Sequence, residues 1–82
     1  MTEKDIVRKL MKIRKWSQPM LAKEAKFPSA SNITGFLNNN KNGIRMDNFY
    51  KMVSAMGYEI VIRDKMGDRE EFVVDMVEEE VE

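Results

Sequence analysis

The chain has no cysteine and no histidine, and only two prolines and four glycines in 82 residues. Without cysteine there is no disulfide framework and no thiolate metal site, so the chain reads as a protein of a reducing compartment that stands on its core alone. Without histidine it lacks the commonest general base and the commonest metal ligand. Long hydrophobic runs are missing too: the longest are three-residue stretches such as Ile60-Val61-Ile62 and Phe72-Val73-Val74. These are too short for a membrane span, and the alternation of charged and apolar residues at the N-terminus is unlike a signal peptide. These absences argue against an enzyme, a secreted scaffold and a membrane protein. A hydrophobic fraction of 43% beside 34% charged residues is too apolar for disorder and suits one small domain.

The charge that is present is unevenly placed. Net charge is zero, yet residues 1–57 hold eleven Lys/Arg against four acids, and residues 66–82 hold one Arg against eight acids. Such a split hints at a polyanionic partner for the basic part. A basic face that serves solubility alone is the plainer alternative.

Periodicity predicts four helices and a hairpin. Thr2 can cap a first helix over about residues 2–16, with Ile6, Leu10 and Ile13 as its buried stripe, Val7 and Met11 beside them, and Lys4, Arg8, Lys12 and Lys15 on the solvated side. Ser17-Gln18-Pro19 opens a second over about 17–26, because Ser is a good N-cap and Pro is tolerated in a first turn. Its apolar side is Met20, Leu21, Ala25 and Phe27, and Phe27-Pro28 forces the chain out of helix. Ser29 or Ser31 caps a third over about 30–38, with Ile33, Phe36 and Leu37 inward. It ends in a polar turn, Asn38 to Gly43, whose residue types tolerate left-handed backbone. A fourth runs over about 45–56, with Met46, Phe49, Met52, Val53 and Met56 inward and Gly57 as terminator. The period then changes to alternation, giving a hairpin over about 58–77 with a loop of about five residues. Residues 78–82 form an acidic end expected to fray. The fold class is mainly α with a C-terminal β-hairpin.

On a wheel of about 100° per residue, an inward Ile33, Phe36 and Leu37 sends Ser31, Gly35 and Asn38 outward, with Thr34 on the shoulder. That face carries no acid and no large apolar group. It suits a groove about 12 Å wide, where Ser, Thr and Asn reach base edges and Gly lets the backbone approach. The Ser-Gln-Pro start of the helix before it can meet a phosphate. A surface helix that merely carries small polar residues is the bland reading of the same face.

Three stretches together resemble the phage-repressor (Xre-like, Cro-type) helix-turn-helix family: Ser17 to Ala25, Ser31-Asn32-Ile33-Thr34-Gly35-Phe36-Leu37-Asn38, and Met46-Asp47-Asn48-Phe49-Tyr50-Lys51-Met52. The resemblance spans about residues 4–57. It implies a four-helix, lambda-repressor-like domain that binds double-stranded DNA, a dimeric regulator on a palindromic operator, encoded by a bacterium or phage and cytoplasmic. By position, Gln18 would contact phosphate, and Ala30, Ser31, Thr34 and Gly35 would face bases with Asn32 near them. Asn38, Asn40 and Lys41 would lie near the DNA backbone. The chain departs from the pattern in three places. Lys26-Phe27-Pro28-Ser29 stands where a turn glycine is usual, with one residue more between Leu21 and Ile33. Gly35 sits inside the third helix, and a hairpin replaces a fifth helix.

The base-facing set lacks Arg, Lys and Gln, the best bidentate readers, so DNA shape and phosphate clamping should supply part of the specificity. A lone hairpin leaves an open edge. Its expected faces are Tyr58, Ile60, Ile62, Phe72, Val74 and Met76 toward the helices, and Val61, Val73 and Val77 away from them. The strand Glu71–Val77 is expected to pair with its twin in a homodimer. The alternative function is an antitoxin or protein-interaction module, in which the hairpin or acidic end grips a partner such as a toxin. No cofactor is called for, and consecutive glutamates lack the turns of a cation cage.

Overall fold

The computed structural model, described for residues 1–39, 42–67 and 70–76, contains α1 (Glu3–Arg14), α2 (Gln18–Glu24), α3 (Ala30–Asn38), α4 (Met46–Ala55), β1 (Val61–Arg63) and β2 (Glu71–Val73). Each helix lies within the span its periodicity predicts. Three of them start at short polar residues. Thr2 and Asp5 form a capping box, with both backbone-to-side-chain distances at 3.2 Å. Donation from the Thr2 backbone N–H, and then from its side chain, holds the Asp5 carboxyl below the usual carboxylate range. Ser17 accepts from the Met20 N–H at 3.3 Å. At α3 the cap is Ser29, whose N–H donates to the Asn32 side-chain oxygen at 3.2 Å.

Three helix ends share one device. A residue in left-handed backbone closes each: Lys15 at φ 61°, Lys26 at φ 63° and Gly57 at φ 86°. Its own N–H reaches back to Lys12, Lys23 or Ser54, and the next N–H, from Trp16, Phe27 or Tyr58, reaches the carbonyl of Met11, Ala22 or Val53 at 2.8–2.9 Å. This double bond pattern satisfies the last carbonyls of a helix, and an apolar residue just beyond it commonly packs back. Here that residue is aromatic each time, and all three lie half-buried against the core.

The core is a single cluster in which Val7, Leu21, Ile33 and Met52 are fully enclosed, one from each helix. Among the helices, α2 packs on α3 and α4, and α1 packs on α4. Several residues of the predicted stripes lie outside this cluster. Ile13 and Met46 are each 55% exposed, since each sits near a helix end where the stripe has rotated past its neighbour. Met20 is exposed in the same way at the first turn of α2.

The basic row of α1 is not uniformly solvated. The Arg8 guanidinium donates to the Leu37 carbonyl at 2.7 Å and so holds the last turn of α3. Arg14 donates to the Met56 carbonyl at 2.9 Å and lies over the Tyr58 ring, 4.8 Å from its centroid. Positive charge against terminal carbonyls also complements the helix dipole. At the other end of α1, Glu3 accepts from the Ile44 N–H at 3.2 Å. A Cβ at Gly43 would stand 2.7 Å from that carboxylate, the far end of a flexible side chain. A side chain at Gly43 would therefore displace the Glu3 carboxylate from this contact, and Gly43 is not in the left-handed backbone to which the residue types of its turn had pointed.

The strands pair antiparallel with Val61 opposite Val73, Ile62 opposite Phe72 and Arg63 opposite Glu71. The expected face pairing holds, but the far end of the hairpin does not lie on the helices. Ile62 is 59% and Phe72 61% exposed, while Tyr58, Ile60, Val74 and Met76 are half-buried. The helical body is only long enough to cover the near end. Val77 and the acidic end at 78–82 lie outside the described residues. No helix among the described residues is long and apolar enough to cross a membrane.

Candidate nucleic-acid interface

The exposed sides of α2 and α3 meet through their predicted site residues. The Thr34 hydroxyl donates to Gln18 Oε1, with the Ala30 carbonyl 3.3 Å away as its second acceptor. With its oxygen engaged, the Gln18 amide turns its N–H donors to outside chemistry. Gln18 is half-buried at the first position of α2, and Thr34 is exposed one turn into α3. The turn between the two helices is held from below. Phe27 and Phe36 meet edge to face with centroids 5.4 Å apart, and the Lys51 ammonium lies 5.7 Å from the Phe27 centroid. The left-handed position that glycine most often fills at a helix end is taken by Lys26.

The wheel reading of α3 agrees with its burial. Ile33 and Leu37 are enclosed and Phe36 is half-buried, whereas Ser31, Thr34, Gly35 and Asn38 are exposed. A Cβ built on Gly35 would meet nothing within 4 Å. Helix-interior glycine costs roughly 0.5–1 kcal/mol relative to Ala, and no neighbour among the described residues requires it here. Ala30 and Asn32 are half-buried, and Asn32 commits its side-chain oxygen to the cap at Ser29. The two thus sit at the rim of the bare face rather than on it. Asn40 and Lys41 lie outside the described residues.

Beside Gly35 is a hollow of about 240 Å³ lined by Asn39, Asn42, Gly43, Arg45 and Asn48, among others. Amide donors beside an exposed guanidinium are suited to an anionic oxygen. Arg45, largely exposed, pairs with the half-buried Asp47 at 3.4 Å. Arg45, Asn42 and Asn48 were not among the expected site residues; Asn42 belongs to the amide run that begins at Asn38, whereas nothing local marked Arg45 or Asn48. Of the basic row expected in solvent, Arg8 is spent on a helix end, as is Arg14 beside that row.

No family model, no curated protein and no solved structure shows a significant match to this chain. The case for function therefore rests on the geometry of these residues and on the motifs they carry.

Proposed function

We propose that the chain is a sequence-specific double-stranded DNA-binding transcriptional regulator with α2 and α3 as its helix-turn-helix. In this reading it is a cytoplasmic dimeric repressor that reads a palindromic operator with α3 in the major groove. The observation that carries it is Gly35, a glycine in mid-helix on a bare uncharged face where a Cβ would meet nothing among the described residues. Close approach of an external surface is the remaining physical use for it. Ser31 and Thr34 flank it as base-edge contacts, with Ala30 and Asn32 at the entry. Gln18 serves a phosphate while bracing Thr34. Asn38, Asn40 and Lys41 serve the backbone.

The test is a trade-off. Gly35→Ala should raise stability by roughly 0.5–1 kcal/mol and weaken specific DNA binding about tenfold, in line with the 1–3 kcal/mol of a lost base contact. A variant that gains stability and binds a selected duplex unchanged would sink the reading. Binding to a random duplex should fall with salt at a slope near −0.9 per phosphate contacted. The exposed Ile62 and Phe72 favour a second reading, a protein-binding antitoxin that grips its partner through the hairpin. Salt-independent capture of a protein, without duplex binding, is the result that reading requires.

A further inference from the structure

The two outer edges of the hairpin are not equivalent. The Val74 N–H donates to the Ile60 carbonyl at 2.8 Å, and Ile62 faces Phe72. In an antiparallel ladder, successive residues turn their N–H and C=O groups to opposite sides. Val61 and Arg63 therefore present theirs outward from β1, and Glu71 and Val73 outward from β2; the same alternation carried one step past the Ile60–Val74 bond adds Glu59 and Asp75. The stretch Glu59-Ile60-Val61-Ile62-Arg63 complements its own reverse. Laid antiparallel on a second copy with Val61 at the centre, Glu59 meets Arg63, Ile60 meets Ile62, and the outward groups pair. The same operation on β2 about Val73 sets Glu71 against Asp75, carboxylate against carboxylate, on both sides of the axis. Like charges directly opposite are destabilising.

Two further observations agree. Among the described residues neither Glu59 nor Arg63 stands in an ion pair. Beside the β1 edge lies a hollow of about 300 Å³ lined chiefly by Ile6, Leu10, Phe49, Val53, Tyr58 and Ile60. Side chains on one face of paired strands are neighbours, so an incoming Ile62 arrives next to Ile60 at the mouth of this hollow.

We propose that two copies of this chain join through β1, edge to edge about Val61, in a four-stranded antiparallel sheet with the two β2 strands outermost. The expected dimer thus closes through the first strand of the hairpin and not through Glu71–Val77. This deepens the dimer reading above and stands apart from DNA contact by α3. Sedimentation equilibrium of the full chain without DNA, at up to about 100 μM to reach micromolar association, tests it. Glu59→Arg and Arg63→Glu should each weaken self-association roughly tenfold, as attraction turns to repulsion at two symmetry-related pairs. The double exchange should restore it, and the two single variants, mixed, should associate with each other. Val61→Pro should abolish association, because it removes an outward N–H and leaves the inner ladder intact, while Val73→Pro should leave it unchanged. Loss through Val73→Pro alone, or single exchanges without effect, would keep a dimer and overturn its assignment to β1. A wild-type monomer throughout would overturn the dimer altogether and leave binding by α3 to be judged on the Gly35 variant.

Discussion

In the helical body each apolar stripe meets another: α1 lies on α4, α2 lies on α3 and α4, and each helix contributes one fully enclosed side chain to the same cluster. In the hairpin, three-residue strands leave all six of their residues exposed. The body also ties its helix ends with aromatic-backed caps and with Arg8 and Arg14. The hairpin has its ladder and the covered residues at its near end. Stability is thus concentrated in residues 3–58, and the hairpin is an appendage whose apolar surface is available to something else. A two-stranded ribbon by itself is marginal in water, so its order depends on the body that covers its near end.

The largest way to break this contrast is Leu21→Ala. It empties a site shared by α2, α3 and α4 and should cost about 2–5 kcal/mol, read as a lower urea midpoint with unchanged slope. For a domain with a total of about 5–15 kcal/mol, that approaches loss of the fold. Lys26→Gly should act in the opposite direction. A lysine at φ 63° is held in a region that disfavours side chains by roughly 1 kcal/mol, and removing the Cβ should raise the midpoint by about that amount. A failure to stabilise would mean that the Lys26 side chain does more than turn the chain.

Phe72→Ser sharpens the comparison from the other side. Despite losing a whole ring, it should change monomer stability by less than about 0.5 kcal/mol, measured by the same urea titration. A cost near that of Leu21→Ala would show the hairpin to be part of the core. The smallest effect belongs to acid titration of the body's first turn. Because the Asp5 carboxyl is held low by Thr2, its contribution is present above the ordinary carboxylate range and is lost as the pH falls through and below it. Thr2→Ala should flatten that acid limb of the stability curve slightly, and a steeper limb would contradict the assignment.

Local signals carried most of the body. Thr2 and Ser17 were legible as caps, and the third cap was narrowed to Ser29 or Ser31, because the chemistry of a helix start needs only neighbours in sequence. Ile33, Phe36 and Leu37 were legible as one face because the helical period is fixed. What stayed hidden is what spans the chain. Arg8 reaches a carbonyl 29 residues away and Arg14 one 42 residues away, and nothing in the spacing of α1 distinguishes them from solvated lysines. Lys15 and Lys26 gave no sign of left-handed backbone, because packing of the next aromatic residue overrides the local preference for glycine. The bare face of α3 was readable in outline. The brace between Thr34 and Gln18 needed the angle between two helices, and so did the amide hollow beside Gly35. The hairpin's alternation revealed its faces but not how far the body extends to cover them.

The cap that ends α1 has a practical corollary. Trp16 is the one tryptophan in the chain. It lies half-buried against the core cluster, with its backbone bonded to Met11 and its neighbour Ser17 opening α2. Indole emission is thus an intrinsic optical gauge of the α1–α2 corner: it should redden when the helices melt and hold steady when the ribbon detaches, so a single spectrum separates the two events without any label.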